Sequence, residues 1–312
     1  MSRSWRDGVG AALAALVLAG CAGVPTSGPV RQHEPGDQEV SSSVNVAAVP
    51  PADGASAMLV VEGFLHAMGT DQPGFAIARQ YLTDAASRAW KPEDGTSIYA
   101  DGYQPKATDA STDDYPVITL ETVLTGTLTP SGEYREGSGG LRHDFGLVRT
   151  ADDQWRISKP PDGLLISRYQ FTTNYVARTL HYLDATGSVL VPDPRFFAQN
   201  AAALETLVRS QLAGPSDWLA PAVRDGSGAG LVVDRVELTG QGIASVYLTG
   251  SAAQLGDDTR RTLMAELTTT LAELTQVSGV QVSVASTLLP LPRTAATTLT
   301  ADDVEDLAPT DQ

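Results

Sequence analysis

The chain has 312 residues and a formal net charge of −16, from 21 Lys and Arg against 37 Asp and Glu. A surface this acidic repels nucleic acid and anionic headgroups, so nucleic-acid partners are excluded. A single cysteine excludes an intrachain disulfide; the folded parts must hold by burial, and the length allows two domains of ordinary size.

Arg3 and Arg6 precede an apolar run from Val9 to Ala19. The run is too short for a membrane span, which needs about 20 residues, and it suits the h-region of a secretory signal. It ends in Leu18-Ala19-Gly20-Cys21, the lipobox pattern of bacterial lipoproteins. The chemistry needs a thiol because a diacylglycerol alkylates the sulfur. Small residues at 19 and 20 let extended backbone enter a narrow protease cleft. A cysteine falling there by chance is the alternative, but it is the only cysteine in the chain and it stands where lipidation requires it. Residues 1–20 are therefore read as a lipoprotein signal peptide, with Leu18, Ala19 and Gly20 recognised by the signal peptidase. Cys21 is the expected lipidation site, carrying an S-diacylglycerol and an N-acyl group. The expected location is the extracytoplasmic face of the cell membrane, held by the lipid, since acyl chains and not a basic patch must supply the anchor.

Residues 21–55 carry Pro25, Pro29, Pro35, Pro50 and Pro51 without hydrophobic period and read as a flexible tether. As a coil it would span about 30–35 Å. A first folded unit is expected over residues 56–168. Met58, Val61, Leu65 and Met68 recur at helical spacing, and Phe75, Ala78, Tyr81, Leu82, Ala85 and Ala89 mark a second helix. The period then changes to two: Ile118, Leu120, Thr122 and Leu124 alternate, followed by Phe145 with Leu147 and Trp155 with Ile157. Pro160 and Pro161 stop the last strand. Helices followed by an antiparallel sheet predict an α+β domain.

A second unit is expected over residues 175–287. Asp184-Ala185-Thr186-Gly187 separates two short apolar runs and signals a hairpin. Leu204, Leu207, Val208 and Leu212 form a helical stripe that stops at Gly214-Pro215. Strands at Leu231–Leu238 and Ile243–Leu248, a long helix from Asp257 to Gln276 and a strand at Val280–Val284 complete an α-β-β-α-β order after the hairpin. Residues 288–312, rich in Pro, Thr and Asp, read as a linker or disordered tail.

No catalytic constellation emerges. His33, His66, His143 and His181 are isolated, so no metal site is expected. His143-Asp144 is a tempting pair, but adjacent strand residues point to opposite faces, and a half-buried strand histidine is the simpler reading. Asp225-Gly226-Ser227-Gly228-Ala229-Gly230 lacks the lysine and spacing of a phosphate loop. Asp257-Asp258 suits a first helical turn, where the helix dipole favours acid, better than a calcium site. No catalytic residue and no cofactor are expected.

Leu207-Val208-Arg209-Ser210-Gln211-Leu212-Ala213-Gly214-Pro215-Ser216 resembles the helix-to-turn signature of the GerMN domain. Ala244-Ser245-Val246-Tyr247-Leu248-Thr249 resembles its second strand, with Tyr247 where many members carry an acid. The whole arrangement resembles the actinobacterial lipoprotein family LpqB. That family joins a lipobox, a helix-sheet domain similar in element order to NTF2-like domains, and a GerMN domain. Its Tyr-Leu-Asp and Val-Pro-Asp-Pro-Arg stretches correspond to Tyr182-Leu183-Asp184 and Val191-Pro192-Asp193-Pro194-Arg195 here, followed by Trp218-Leu219-Ala220-Pro221-Ala222-Val223. Members usually continue into a C-terminal β-propeller, and this chain stops where it would begin. The resemblance implies an α+β fold class, an NTF2-like helix-plus-antiparallel-sheet domain followed by a small GerMN-type α-β-β-α-β domain. It also implies a role as accessory partner of the extracytoplasmic domain of an MtrB-type sensor histidine kinase, whose MtrA-type regulator adjusts cell-wall metabolism and division. Two other classes stay open. The first domain could hold a ligand in its cavity, or act as an isomerase or dehydratase of the NTF2 fold. Polar groups converging in a closed pocket would favour the enzyme; a filled apolar cone would favour the interaction protein.

Overall fold

The computed structural model describes residues 47–70, 73–109, 111–112, 114–199, 202–224, 230–250, 255–290 and 296–307. The signal segment, Leu18, Ala19, Gly20, Cys21, most of the tether and glycine-rich residues 225–229 lie outside the described residues.

Packing begins earlier than the composition suggests. Ala48 is already buried in the first core, and the carbonyl of Val49 accepts a 2.8 Å hydrogen bond from the Tyr81 hydroxyl. Helix α1 (Ala57–Gly69) starts at Ser56, whose hydroxyl accepts from the Leu59 amide. Its buried face carries Val60, Val61, Phe64, Leu65 and Met68, an apolar stripe of helical period. The single helix expected after Phe75 is two short ones, α2 (Ala76–Gln80) and α3 (Asp84–Ala89). Between them Leu82 leaves the helix to bridge Ile157, held by Ile157 N–H to Tyr81 O and Thr83 N–H to Ile157 O, each 2.9 Å. Thr83 then caps α3 through the Ala86 amide. Apolar period alone could not reveal this break, because the competing partner is 75 residues away.

Strands β1 (Thr96–Tyr99), β2 (Lys106–Ala107), β3 (Val117–Leu128), β4 (Tyr134–Glu136), β5 (Gly140–Arg149), β6 (Trp155–Ile157) and β7 (Leu164–Ser167) form one sheet in the order β6-β5-β3-β1-β7, with β2 and β4 also on β3. All pairs are antiparallel except β1 with β7. Helix α1 packs on it, and Phe64, Ile98, Leu120, Phe145, Leu147, Ile157 and Ile166 are fully buried between the layers.

Between the two units expected over residues 56–168 and 175–287, the chain is a helix running straight into a strand. Helix α4 (Arg168–Asn174) opens with a full capping box of Ser167 and Gln170. It passes into β8 (Tyr175–Leu183), which pairs antiparallel over nine residues with β9 (Leu190–Ala198). The expected hairpin is thus much longer than its apolar tips. Pro192 and Pro194 lie opposite His181 and Thr179. There the strand's N–H groups face away from the ladder, so proline breaks no bond of the pair.

Helix α5 (Ala203–Leu212), strands β10 (Val232–Leu238) and β11 (Ile243–Thr249), helix α6 (Asp257–Ala272) and strands β12 (Gly279–Val284) and β13 (Thr287–Leu288) follow. The second sheet has the order β10-β11-β12-β13, with β11 and β12 parallel across the α6 crossover. Val208, Leu263, Leu267 and Leu271 pack against Ala244, Val246, Val280 and Val282 as a second core. The segment expected to be a linker or tail instead returns to this core. Leu299 is fully buried and exchanges hydrogen bonds of 2.7 and 2.9 Å with Val280, and Val304 is buried beside Leu183, Leu190 and Ala265. Leu299 and Val304, spaced among Thr and Asp, are too sparse a pattern to announce that return.

Candidate functional site

The ribbon of β8 and β9 carries the most concentrated polar chemistry among the described residues. Its register sets Arg178 opposite Arg195, Leu180 opposite Asp193 and Tyr182 opposite Val191. Residues two apart on a strand share a face, so Tyr182, Asp193 and Arg195 converge. All three are essentially without solvent exposure.

Arg195 donates from Nη2 to Asp193 Oδ2 and to Gly214 O, both at 2.8 Å, and from Nη1 to Ser131 O at 3.2 Å. The Asp193 carboxylate also accepts from the Ser216 amide at 2.9 Å and its hydroxyl at 3.1 Å. Tyr182 donates to Gly214 O at 2.7 Å. Burial raises this phenol well above the ordinary tyrosine range, while the Arg195 charge pulls it partly back. It is therefore a fixed donor at any physiological pH. A buried ion pair tolerates its desolvation only when further hydrogen bonds complete it, and here backbone carbonyls and Ser216 supply them. Arg195 Nε alone makes no hydrogen bond.

Ser131 belongs to the turn between β3 and β4 of the first sheet, so Arg195 ties that sheet to the second core. The neighbouring main chain does the same: the Phe196 amide donates to Gly132 O at 2.8 Å. Gly132 has φ +89°, and a Cβ there would stand 2.7 Å from Phe196 O. Glycine is required twice over, by conformation and by contact. Around this point Tyr134, Phe171, Tyr175 and Phe196 form an aromatic cluster with ring centroids 5.1–5.8 Å apart. On the surface, Arg135 meets Asp217 at 3.1 Å, a pair too exposed to contribute much. The joint thus spends its charges on carbonyls and exposes no reacting group to solvent.

The other residues singled out by sequence are dispersed. His143 and Asp144 point to opposite faces. His143 packs edge-on against Phe145 with Nε2 3.4 Å from Lys159 O, and burial lowers its pKa. Asp144 binds Thr119 and Arg142 on the outer face. His181 is buried, and its 3.6 Å approach to Glu273 is not an ion pair at neutral pH, because burial lowers the imidazole to about 4. Asp257 and Asp258 occupy the first turn of α6. Among the described residues no group of His, Cys, Asp and Glu could hold a metal ion, and no helix is long and apolar enough to cross a membrane. Tyr247 lies under the Arg235 guanidinium, 3.8 Å from ring centre to Cζ. Sequence reasoning quoted Asp193 and Arg195 only as part of a family signature. Their i, i+2 spacing between prolines on a strand was the available signal for a same-face charge pair.

Residues 50–172 match the family described as lipoprotein LpqB, N-terminal domain, and residues 179–288 match the Germane family of sporulation and spore germination. Lipoprotein LpqB of Cutibacterium acnes is 34% identical over 300 residues, covering 95% of this chain and 50% of that protein. The protein of the same name from Streptomyces coelicolor is 31% identical, covering 83% and 46%, and that from Mycobacterium tuberculosis is 31% identical, covering 67% and 35%. The chain spans half or less of the length of these relatives. Among solved structures, the first GerMN domain of the sporulation protein GerM from Bacillus subtilis aligns with a TM-score of 0.34 at 19% identity. It covers 41% of this chain and 99% of that one.

Proposed function

Because the chain belongs to the LpqB lipoprotein family, we propose that it is a cell-envelope lipoprotein that works by contact with another protein and not by catalysis. The observation that carries this reading is the filled interior of the first lobe, which we read as an NTF2-like unit. Phe64 lies 5.3 Å from Trp90 and 6.3 Å from Phe145, ring centre to ring centre, where a ligand or substrate would otherwise sit. The buried Arg195 joint adds to it by making one body of two lobes, so that a partner can read both at once.

In this reading Cys21 carries the lipid and the folded part stands on the extracytoplasmic face. The partner is the outer domain of a sensor histidine kinase of the MtrB type, as the family resemblance suggests. Trp218 is the surface anchor we favour. It is 66% exposed beside the Arg135–Asp217 pair at the joint, and tryptophan is enriched at the energetic centres of interfaces. An acidic body calls for a partner with a basic face, and such a complex weakens as salt rises.

The test mixes the purified chain with the kinase's outer domain and measures binding at low and high salt. The expected result is saturable binding that weakens with salt and drops at least tenfold for Trp218→Ala. No binding at either salt, with both proteins folded, would remove the kinase from the proposal.

A further inference from the structure

Past the N-terminus of α5 the β8–β9 ribbon overhangs the second core and leaves an open cavity of about 350 Å³. That is within the size range of small-molecule sites, about 300–1,000 Å³. The strand alternation that turns Leu180 and Tyr182 into the core carries Val176 and Arg178 over this cavity on the same face. Phe197, Leu204, Leu207 and Leu274 line it with apolar surface, and Gln199 and Gln276 stand at its edge.

Arg178 is the exceptional residue here. It is half-buried, yet the only hydrogen bond of its guanidinium among the described residues is a 3.3 Å contact to the carbonyl of the preceding Ala177. Its cross-strand neighbour is another guanidinium, Arg195, whose carboxylate partner is Asp193. Glu273 attracts Arg178, but the two form no hydrogen bond with one another. The first turn of α5 opens onto the same cavity through Ala203 and Leu204. A helix N-terminus adds positive potential. An apolar floor below an under-used guanidinium and a helix N-terminus is complementary to one chemistry: an apolar body with a negative head.

We propose that this cavity binds a small amphipathic carboxylate, its apolar part against Phe197, Leu204, Leu207 and Leu274 and its carboxylate on Arg178. The site lies in the second lobe and is independent of the kinase assignment. The probe is sodium octanoate below its micelle concentration, titrated into the full chain and followed by calorimetry, with octanol as the uncharged control. Octanoate should bind saturably at one site, and octanol at least tenfold more weakly. Arg178→Gln should bring octanoate down to the level of octanol. Leu204→Trp, which fills the cavity, should abolish binding of both; Arg178→Gln, at a half-exposed position, keeps the test intact should the tryptophan variant unfold. Absence of saturable binding, octanol binding as tightly as octanoate, or octanoate binding unchanged in Arg178→Gln would overturn the proposal.

Discussion

The amide of Leu183 donates to the carboxylate of Glu266 at 2.9 Å, a strand residue served by a helix side chain. It is one of two such bonds between β8 and α6. The His181 amide donates to the Thr270 hydroxyl at 3.0 Å. Alternate residues of β8 are thus matched by positions 266 and 270, which lie on one side of α6. Gln211 from α5 closes the set by accepting from Thr270 at 2.8 Å and donating to His181 O at 2.9 Å.

Removing the acceptor strands a buried amide, which costs about 1–3 kcal/mol. Glu266→Ala should therefore lower unfolding stability by at least that much, and Glu266→Gln, which keeps a carbonyl acceptor, by less. Urea denaturation of the two variants measures the difference; equal losses would mean that the acceptor is not what matters.

The joint gives a sharper expectation. Arg195→Met leaves Asp193 buried without its cation and should cost about 3–5 kcal/mol. The double variant Asp193→Leu with Arg195→Met should lose less than the sum of the two single losses, because both charges leave together. Gly132→Ala tests the main-chain half of the same joint. Forced into φ +89° against Phe196 O, alanine should cost about 1–3 kcal/mol. Additive losses in the double-mutant cycle would contradict the pairing.

His181 makes stability depend on pH. Burial lowers its pKa from 6.5 to about 4, so between those values the unfolded chain binds a proton that the folded chain does not. Its contribution is complete above pH 6.5 and falls as the pH drops toward about 4, by up to roughly 3 kcal/mol at about 1.4 kcal/mol per unit. Glu273, raised by burial, acts in the opposite sense and offsets part of the loss. His181→Phe should flatten the curve between pH 7 and 5, and denaturation midpoints across that range decide it.

Cys21 carries the prediction about location. Cys21→Ala should release the protein from membranes or leave it as an uncleaved precursor, as read by fractionation and by mass of the N-terminus. A variant that stays processed and membrane-bound would show that another feature is the anchor.

The sequence reports period, and period located α1, the long strands of the first sheet and the α-β-β-α-β order of the second lobe. It does not report competition between distant partners. Tyr81 to Thr83 leave the helix because Ile157 offers them a strand, and Leu299 returns to Val280 through a segment whose composition reads as solvated. The joint was legible only as a string of letters. Hydropathy places an arginine at the surface, and nothing local to Arg195 says that the carbonyls of Ser131 and Gly214 await it. Glu266 was hidden for the same reason: an acid on a helix is ordinarily solvated, and its partner is an amide 83 residues earlier.

The prolines of β9 have a consequence for life in a crowded layer. Lipid-anchored proteins share two dimensions, which raises their local concentration, and an open strand margin invites a neighbour to pair with it. Along β9, Pro192 and Pro194 offer no donor to a foreign strand, and the Phe196 amide is already taken by Gly132. Along β8, the amides of His181 and Leu183 are taken by α6 side chains. At these positions the ribbon thereby offers no free N–H to a foreign strand on either margin.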